Sequence, residues 1–307
     1  MTLRIALATT DVFADEDPDY DTPLLLAALR ERGAEAEAIV WHDDAVDLAA
    51  YDLVAIRSTW DYPERADEFA AWVDRTAAAT RLVNSAALVH WNLDKAYLTS
   101  MADAGIRTVP TVYCRDIHSA RAAVSAHARG EVDATAASPT PRRIVVKPTL
   151  SAGARDTGLF DADDPRALAL AERIIARGGT AMIQPEIAEL SAGTEKALYI
   201  IEGRFTHAIA KGALLEAGGG LRGGVYQENP VLVPASTAEQ AFAVDAMRAV
   251  STITGEPTPL YGRIDVVDTA AQGLVVLEVE LIEPSLNLHV APSAIAPVAD
   301  ALLRAAG

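Results

Sequence analysis

The sequence predicts a mixed fold in which a parallel α/β lobe is followed by two lobes of α+β character. Strand-like apolar runs alternate with helical segments early in the chain, whereas paired strands that resemble hairpins dominate its later part. A chain of 307 residues, half of them hydrophobic, can bury more than one core. We therefore expect an N-terminal lobe at 1–90, a central lobe at 91–180 and a C-terminal lobe at 181–307.

The N-terminal lobe is predicted as a parallel sheet with helices on its faces. Thr22-Pro23 is typical of a helix start, with Thr22 as N-cap, and Gly33 closes that helix. A second helix is expected at 63–79. Because strands and helices alternate, the connections are expected to be crossovers between parallel strands, which are predicted at 3–9, 36–41, 51–57 and 81–83.

The two later lobes are predicted from longer helices and from two hairpins. Asn92 is expected to cap a helix that runs to Gly105, and the segments 130–142 and 218–224 are expected to be loops. Further helices are expected at 119–129, 164–177, 237–254 and 294–306. Single strands are expected at 109–113, 143–148 and 181–187, and hairpins at 198–211 and 260–282.

Composition excludes several classes of function. A net charge of −17 argues against a general nucleic-acid binder, which needs a basic face. We find no run of about 20 apolar residues that would span a membrane, and no signal peptide, so a cytoplasmic protein is expected. A single cysteine excludes an internal disulfide and a zinc site of several thiolates.

Acidic residues converge on the last hairpin. Glu278 and Glu280 are two apart in a strand and therefore point to the same face. A symmetric turn at 270–273 places Asp265 opposite Glu278 and Arg263 opposite Glu280, about 5 Å apart at Cβ. The same register places Thr269 opposite Leu274.

Crowded carboxylates need a cation, because like charges raise each other's pKa. Oxygen ligands without cysteine or histidine favour Mg²⁺. The alternative is an ordinary solvated hairpin face. The apolar opposite face supports a buried hairpin, and its residues are Ile264, Val266, Val279 and Leu281.

These residues resemble the metal-binding hairpin of the ATP-grasp superfamily, which carries Arg-x-Asp, then Glu-x-Asn and a following proline. The chain has Arg263-Ile-Asp265 and Glu278-Val-Glu280, followed by Pro284. Glutamate replaces the usual asparagine at 280, which keeps an oxygen ligand and adds negative charge. The resemblance implies that Asp265, Glu278 and Glu280 bind Mg²⁺, with two ions expected and Mn²⁺ as an alternative.

Other segments resemble the same superfamily in the expected order, from about residue 88 to the end of the sequence. The resemblance implies that ATP is bound between two lobes, by three lysines, a small-residue loop, an adenine hinge and a ribose-binding acid. The three lysines are Lys95, Lys147 and Lys211, and the small-residue loop contributes Ser151 and Gly153. The adenine hinge contains Gln184, Glu186 and Ile187, and the ribose-binding acid is Glu195.

The segments Arg57-Ser-Thr-Trp-Asp-Tyr62 and Glu278-Val-Glu-Leu-Ile-Glu-Pro-Ser285 resemble the branch that contains the cycloserine-forming O-ureido-serine cyclo-ligase. The resemblance implies an ATP-dependent ligase that activates a small amino-acid-like substrate by phosphorylation, either for amide formation or for ring closure, in specialised (antibiotic) metabolism. Arg263 and Lys211 would act on the transferring phosphoryl group. Arg222 would bind phosphate or a substrate carboxylate, or would be an exposed surface residue without a ligand role.

Substrate recognition is expected in the N-terminal lobe, at Arg57, Ser58 and Asp61. Arg57 ends a predicted parallel strand, where open α/β sheets place ligand contacts. Its alternative role is a structural ion pair with an acid such as Asp61. For the whole chain, the competing interpretations are an ATP-dependent kinase and a non-catalytic nucleotide-binding protein, and a homodimer is left open.

Overall fold

The computed structural model describes residues 2–13, 18–131, 142–221 and 229–307. Its first sheet is wholly parallel, in the order β2-β1-β3-β4, which confirms the predicted α/β start of the chain. The strands are β1 (Arg4–Thr9), β2 (Glu35–Val40), β3 (Leu53–Ser58) and β4 (Arg81–Val83).

The described residues form helices close to the predicted segments, but two helix starts differ and two short helices, at Ala86–Asn92 and Ala188–Ser191, were not predicted. The helices are α1 (Asp21–Glu31), α2 (Ala66–Ala79), α3 (Ala86–Asn92), α4 (Tyr97–Asp103), α5 (Ile117–Arg129), α6 (Pro165–Ala176), α7 (Ala188–Ser191), α8 (Thr237–Thr254) and α9 (Ile295–Ala306). Thr22 is not the N-cap of α1, because Asp19 Oδ1 instead accepts the backbone N–H groups of Asp21 and Thr22, at 2.9 and 3.0 Å. Gly33 follows the helix with φ of +88°, as a C-terminal glycine should.

The central sheet is antiparallel, in the order β5-β8-β6-β7. Its strands are β5 (Val112–Cys114), β6 (Arg143–Pro148), β7 (Gly158–Asp161) and β8 (Ala181–Pro185). The short strand β7 was not predicted, because it directly follows a run of small residues that is typical of a loop. Of the two predicted loops, residues 132–141 and 222–224 lie outside the described residues.

The C-terminal sheet has the order β11-β10-β9-β12-β13 and is antiparallel throughout. Its strands are β9 (Glu195–Ile201), β10 (Arg204–Lys211), β11 (Val231–Val233), β12 (Tyr261–Thr269) and β13 (Gly273–Glu280). Helix α8 packs closely against it at Gly262. A Cβ atom there would lie 2.7 Å from Met247 Cε and 2.8 Å from Leu281 Cδ2, so glycine permits this contact.

The β12–β13 hairpin has the predicted register at the acids and a different one at its turn. Asp265 pairs with Glu278 and Arg263 with Glu280, as predicted. The predicted pairing of Thr269 with Leu274 is wrong, because Thr269 pairs with Gly273. A β-bulge between Asp265 and Val266 absorbs the extra residue of β13, so the error at the turn does not reach the acids.

Asn92 does not cap a helix start, contrary to prediction. It is the last residue of α3, whose N-cap is Ser85. Its side chain donates to the Val279 carbonyl and accepts from the Leu281 N–H, both at 2.8 Å. Tyr97 also bonds the Val279 backbone through its hydroxyl. These side chains satisfy the free edge of β13, which would otherwise carry unpaired backbone groups.

One hydrophobic core joins the beginning and the end of the chain. Ile5 and Leu29 of the first sheet and α1 belong to the same buried cluster as Tyr199, Leu288 and Leu302. Helices α1 and α9 pack against each other. The lobe boundaries at 90 and 180 remain a prediction. Within the described ranges, no helix is both long and apolar enough for a membrane span.

Candidate active site

A cavity of about 560 Å³ lies between the central sheet and the C-terminal sheet and reaches the N-terminal lobe. It brings together almost all of the residues that the sequence singled out: Asp61, Lys95, Lys147, Ser151, Gly153, Gln184, Glu186, Ile187, Glu195, Lys211, Arg263, Asp265, Glu278 and Glu280. Arg57 and Ser58 do not line it. Arg222 lies outside the described residues.

Asp265 is the centre of a buried charge network on the hairpin. It is only 2% exposed. Arg263 donates to both of its oxygens, with Nε–Oδ1 at 2.9 Å and Nη2–Oδ2 at 3.0 Å. Lys211 Nζ lies 2.9 Å from Asp265 Oδ2 and 3.0 Å from Glu195 Oε1. The network places two cations and two acids of β9, β10 and β12 on the cavity wall.

The two glutamates of β13 have opposite electrostatic surroundings. Burial raises the pKa of Glu278, but the positive charges of Lys95 and Lys147 outweigh the effect of burial, so the pKa lies below its usual value. Lys95 Nζ lies 3.0 Å from Glu278 Oε1. Burial raises the pKa of Glu280 well above its usual value, although Arg263 hydrogen-bonds to it and opposes the shift. The surroundings of Glu280 therefore do not fully stabilise its charged form.

Lys147 lies on β6 and lines the cavity, where it is partly buried. Burial lowers the pKa of its ammonium group, and the nearby positive charge of Lys95 and Lys211 lowers it further. Glu278 opposes the shift electrostatically, but none of the described residues forms a salt bridge with Lys147. This ammonium group can therefore bind an anion in the cavity without first releasing a partner.

The predicted hinge region supplies an apolar wall rather than free carboxylates. The Glu186 carboxylate binds Arg143 Nε at 2.8 Å and accepts a hydrogen bond from Ser191 at 2.7 Å. Gln184 Nε2 donates to Thr111 Oγ1 at 2.8 Å. The apolar side chains that line this part of the cavity are Val109, Val145, Ile187, Leu190 and Leu277. A flat aromatic ring fits such a lining.

The small-residue loop after β6 connects the cavity to the N-terminal lobe. Gly153, Ala154 and Asp156 have φ of +60°, +51° and +51°, so the loop is held in the left-handed region. Arg155 forms an ion pair with Glu64, which belongs to a short 3₁₀ helix, Tyr62–Glu64. Both charged side chains are solvent-accessible.

Arg57 is buried and makes contacts within the protein. It is 3% exposed, and its Nη2 donates to the Pro284 carbonyl at 2.7 Å. Its guanidinium lies over the Tyr261 ring, 5.2 Å from the centroid, and 3.9 Å from Asp21 Oδ2. The alternative pairing with Asp61 is not formed. Arg57 instead fixes the segment that follows β13.

The other two predicted substrate residues are also engaged with protein groups. Ser58 Oγ donates to Asp19 Oδ2 at 2.5 Å. Asp61 Oδ1 accepts from Trp41 Nε1 at 2.8 Å, and Asp61 Oδ2 lies 3.6 Å from Arg65. Asp61 is the member of this predicted trio that lines the cavity.

Arg57→Lys is expected to lower the free energy of unfolding by about 2 kcal/mol, because lysine cannot reproduce the buried bond to Pro284 and the contact with Tyr261. ATP affinity should not change. Urea denaturation and calorimetry measure the two quantities, with Arg304→Lys on the surface as the matched control. Unchanged stability combined with a raised substrate KM would restore a direct ligand role for Arg57.

The sequence analysis missed Glu283, which lines the cavity just beyond β13. Burial raises the pKa of its carboxyl group to about 7, against an opposing effect of Lys95. Glu283 lies outside the strand alternation that identified Glu278 and Glu280, so the period-two pattern could not reveal it. The signal available in the sequence was an acid directly before Pro284.

Comparison with known proteins agrees with this architecture. The chain is 36% identical over 273 residues to the cycloserine biosynthesis protein DcsG of Streptomyces lavendulae, covering 88% of each chain. The family described as the N-terminal domain of D-cycloserine synthetase DcsG matches residues 5–84. The crystal structure of D-cycloserine synthetase DcsG superposes with a TM-score of 0.88 at 32% identity, covering 99% of this chain and 100% of the other.

A more distant structure shares the fold alone. The ATP-grasp ligase PsnB, complexed with a minimal precursor, Mg and ADP, superposes with a TM-score of 0.62 at 16% identity, over 98% of both chains. Fold and cavity thus define an ATP-grasp ligase. Within that class, the chain belongs to the family of the D-cycloserine synthetase DcsG.

Proposed function

We propose that this enzyme uses ATP and Mg²⁺ to activate the carboxylate of a small amino-acid-like substrate and then closes a ring, with O-ureido-D-serine as the candidate substrate. The observation that carries the proposal is that Asp265, Glu278 and Glu280 line the same cavity as Lys147, which forms no salt bridge with a described residue. The D isomer is chosen because the related DcsG is named a D-cycloserine synthetase.

The donor set fits magnesium. Asp265, Glu278 and Glu280 offer only carboxylate oxygens, which Mg²⁺ prefers. Among the described residues, no three acids, cysteines or histidines converge into a complete metal cage. Mg²⁺ does not require one, because it is commonly held by one or two carboxylates together with phosphate oxygens and water. The elevated pKa of Glu280 supports the fit, since a divalent cation would stabilise its charged form.

The proposed roles of the nucleotide-binding residues follow from their positions. Lys147, Lys95 and Lys211 bind the phosphates, and the loop with Ser151 and Gly153 covers them. Gln184, Glu186 and Ile187 border the adenine ring, and Glu195 binds the ribose. Magnesium, when bound, would neutralise phosphate charge during transfer.

Arg263 is proposed to stabilise the phosphoryl group as it moves from ATP to the substrate carboxylate. Its guanidinium is held by Asp265 and Glu280, so it needs little reorganisation for this role. The resulting acyl phosphate would be attacked by the N–O nitrogen of the same substrate, which loses its proton as phosphate leaves. Water would then remove the carbamoyl group from the ring nitrogen as CO2 and ammonia, which gives cycloserine. Most of the catalysis is then positioning and charge stabilisation, and no general base is required.

The test is incubation of the purified enzyme with ATP, Mg²⁺ and O-ureido-D-serine. We expect ADP, phosphate and cycloserine to form in equal amounts, measured by coupled ADP release and mass spectrometry. ADP with a stable phosphorylated substrate and no ring would identify a kinase. No substrate-stimulated ADP release across a panel of amino acids would contradict the ligase proposal.

A further inference from the structure

Glu283 differs from the other acids that line the cavity. Each of the others has a cation partner within salt-bridge distance, whereas no described residue forms a salt bridge with Glu283. The paired acids are Asp61 with Arg65, Glu64 with Arg155, Glu186 with Arg143, Glu195 with Lys211, Asp265 with Arg263 and Lys211, Glu278 with Lys95, and Glu280 with Arg263.

The backbone around Glu283 is fixed by the N-terminal lobe. Trp60 Nε1 donates to the Glu283 carbonyl oxygen at 3.1 Å, and Arg57 holds the next carbonyl, that of Pro284. The Asp21 carboxylate accepts the N–H groups of the chain a few residues further on, including Leu286 at 2.5 Å and Leu288 at 2.7 Å. The backbone position of Glu283 is therefore set by contacts within the protein.

Aromatic side chains surround the same part of the cavity. Trp60, Tyr62 and Phe13 line it, and the rings of Phe13 and Trp60 meet edge to face with centroids 5.8 Å apart. The Tyr62 hydroxyl interacts with the Glu283 carboxyl group. A carboxylate that forms no salt bridge with a described residue and lies beside aromatic rings is suited to an alkylammonium group, which gains an ion pair and cation–π contact.

We propose that Glu283 binds the α-ammonium group of the substrate and thereby selects zwitterionic amino acids over simple carboxylic acids. This inference rests on the proposed function, which places the substrate carboxylate toward the lysines and Arg263. The ammonium then needs an anion, and Glu283 is the lining acid that forms no salt bridge with a described cation. Its pKa of about 7 agrees, because a bound cation would stabilise the ionised form.

The first test is Glu283→Gln, which keeps the shape of the side chain and removes the charge. With O-ureido-D-serine we expect the substrate KM to rise about tenfold, the scale of one charged hydrogen bond, while the KM for ATP stays unchanged. The surface variant Glu172→Gln is the matched control. A Glu283→Gln enzyme with an unchanged substrate KM would overturn the inference and leave the proposed function standing.

The second test removes the partner charge from the ligand. D-cycloserine and its amine-free analogue isoxazolidin-3-one are titrated calorimetrically into the wild type and Glu283→Gln. We expect the wild type to prefer D-cycloserine and the variant to bind both equally. A preference that persists in the variant would refute the role of Glu283. Wild-type protein that binds neither compound and shows no turnover would refute the proposed function, and this inference with it.

Thermal stability separates recognition from a structural role. Burial raises the pKa of Glu283, so its ionisation costs stability as pH rises through about 7. Glu283→Gln should therefore melt no lower than the wild type at pH 8, although it binds substrate less tightly. A large drop in melting temperature at pH 8 would indicate that Glu283 only supports the segment after β13 and would contradict the inference.

Discussion

Glu278→Gln is expected to lower kcat by about 10³-fold, equivalent to about 4 kcal/mol of transition-state stabilisation. The substitution removes one proposed magnesium ligand and leaves Lys95 without its ion pair at 3.0 Å. The fold should persist, because the glutamine keeps the side-chain volume and Glu278 is only partly buried. Steady-state ADP release at saturating Mg²⁺ measures the effect.

The matched control for this variant is Glu202→Gln. Glu202 lies in the turn between β9 and β10 and pairs with Arg304 on the surface. It should keep wild-type kcat, because an exposed ion pair contributes little. Near-normal activity of Glu278→Gln at saturating Mg²⁺ would remove Glu278 from the metal site, whatever the behaviour of the control.

Lys147→Met should weaken ATP binding by about 2 kcal/mol, or roughly 30-fold in Kd, which is the scale of a hydrogen bond to a charged group. The same variant should unfold no more easily than the wild type in the absence of ATP. Its ammonium group is desolvated in the cavity wall and forms no salt bridge with any described residue, so the ligand-free protein loses little when it is removed. Calorimetry with ATP and thermal melting give the two values.

Lys196→Met is expected to show the reverse pattern. Lys196 does not line the cavity and pairs with Glu239 at 2.8 Å. Its loss should reduce stability modestly and leave ATP affinity unchanged. If Lys147→Met binds ATP as tightly as the wild type, Lys147 has no role in holding the phosphates.

Strand alternation predicted the acidic hairpin well, because the period of two is imposed by the backbone itself. The pairing of Asp265 with Glu278 was correct although the turn was placed one residue off. The β-bulge that allows both the correct pairing at the acids and the shifted pairing at the turn depends on how the sheet twists and packs. A local sequence pattern does not predict such a bulge. The magnesium roles of these acids stay predictions.

Long-range contacts explain the roles of those polar side chains that could not be predicted from the sequence. Arg57 was correctly placed at the end of a parallel strand, but its partner carbonyl at Pro284 lies 227 residues away. Asn92 resembles a helix cap by residue type, yet it bonds to a strand 187 residues later in the chain. Glu283 became informative only when the cation partners of its neighbours were known. In each case, tertiary packing decides the role of a polar side chain.

The core shared by the first and last segments bears on how the protein forms during translation. Ile5 and Leu29 leave the ribosome well before Leu288 and Leu302, which belong to the same buried cluster. The first sheet and α1 therefore expose an apolar face until α9 has been synthesised. A truncation before α9 would leave that face open to aggregation. Transplanting the 5–84 segment into another ligase would likewise require a matching C-terminal helix.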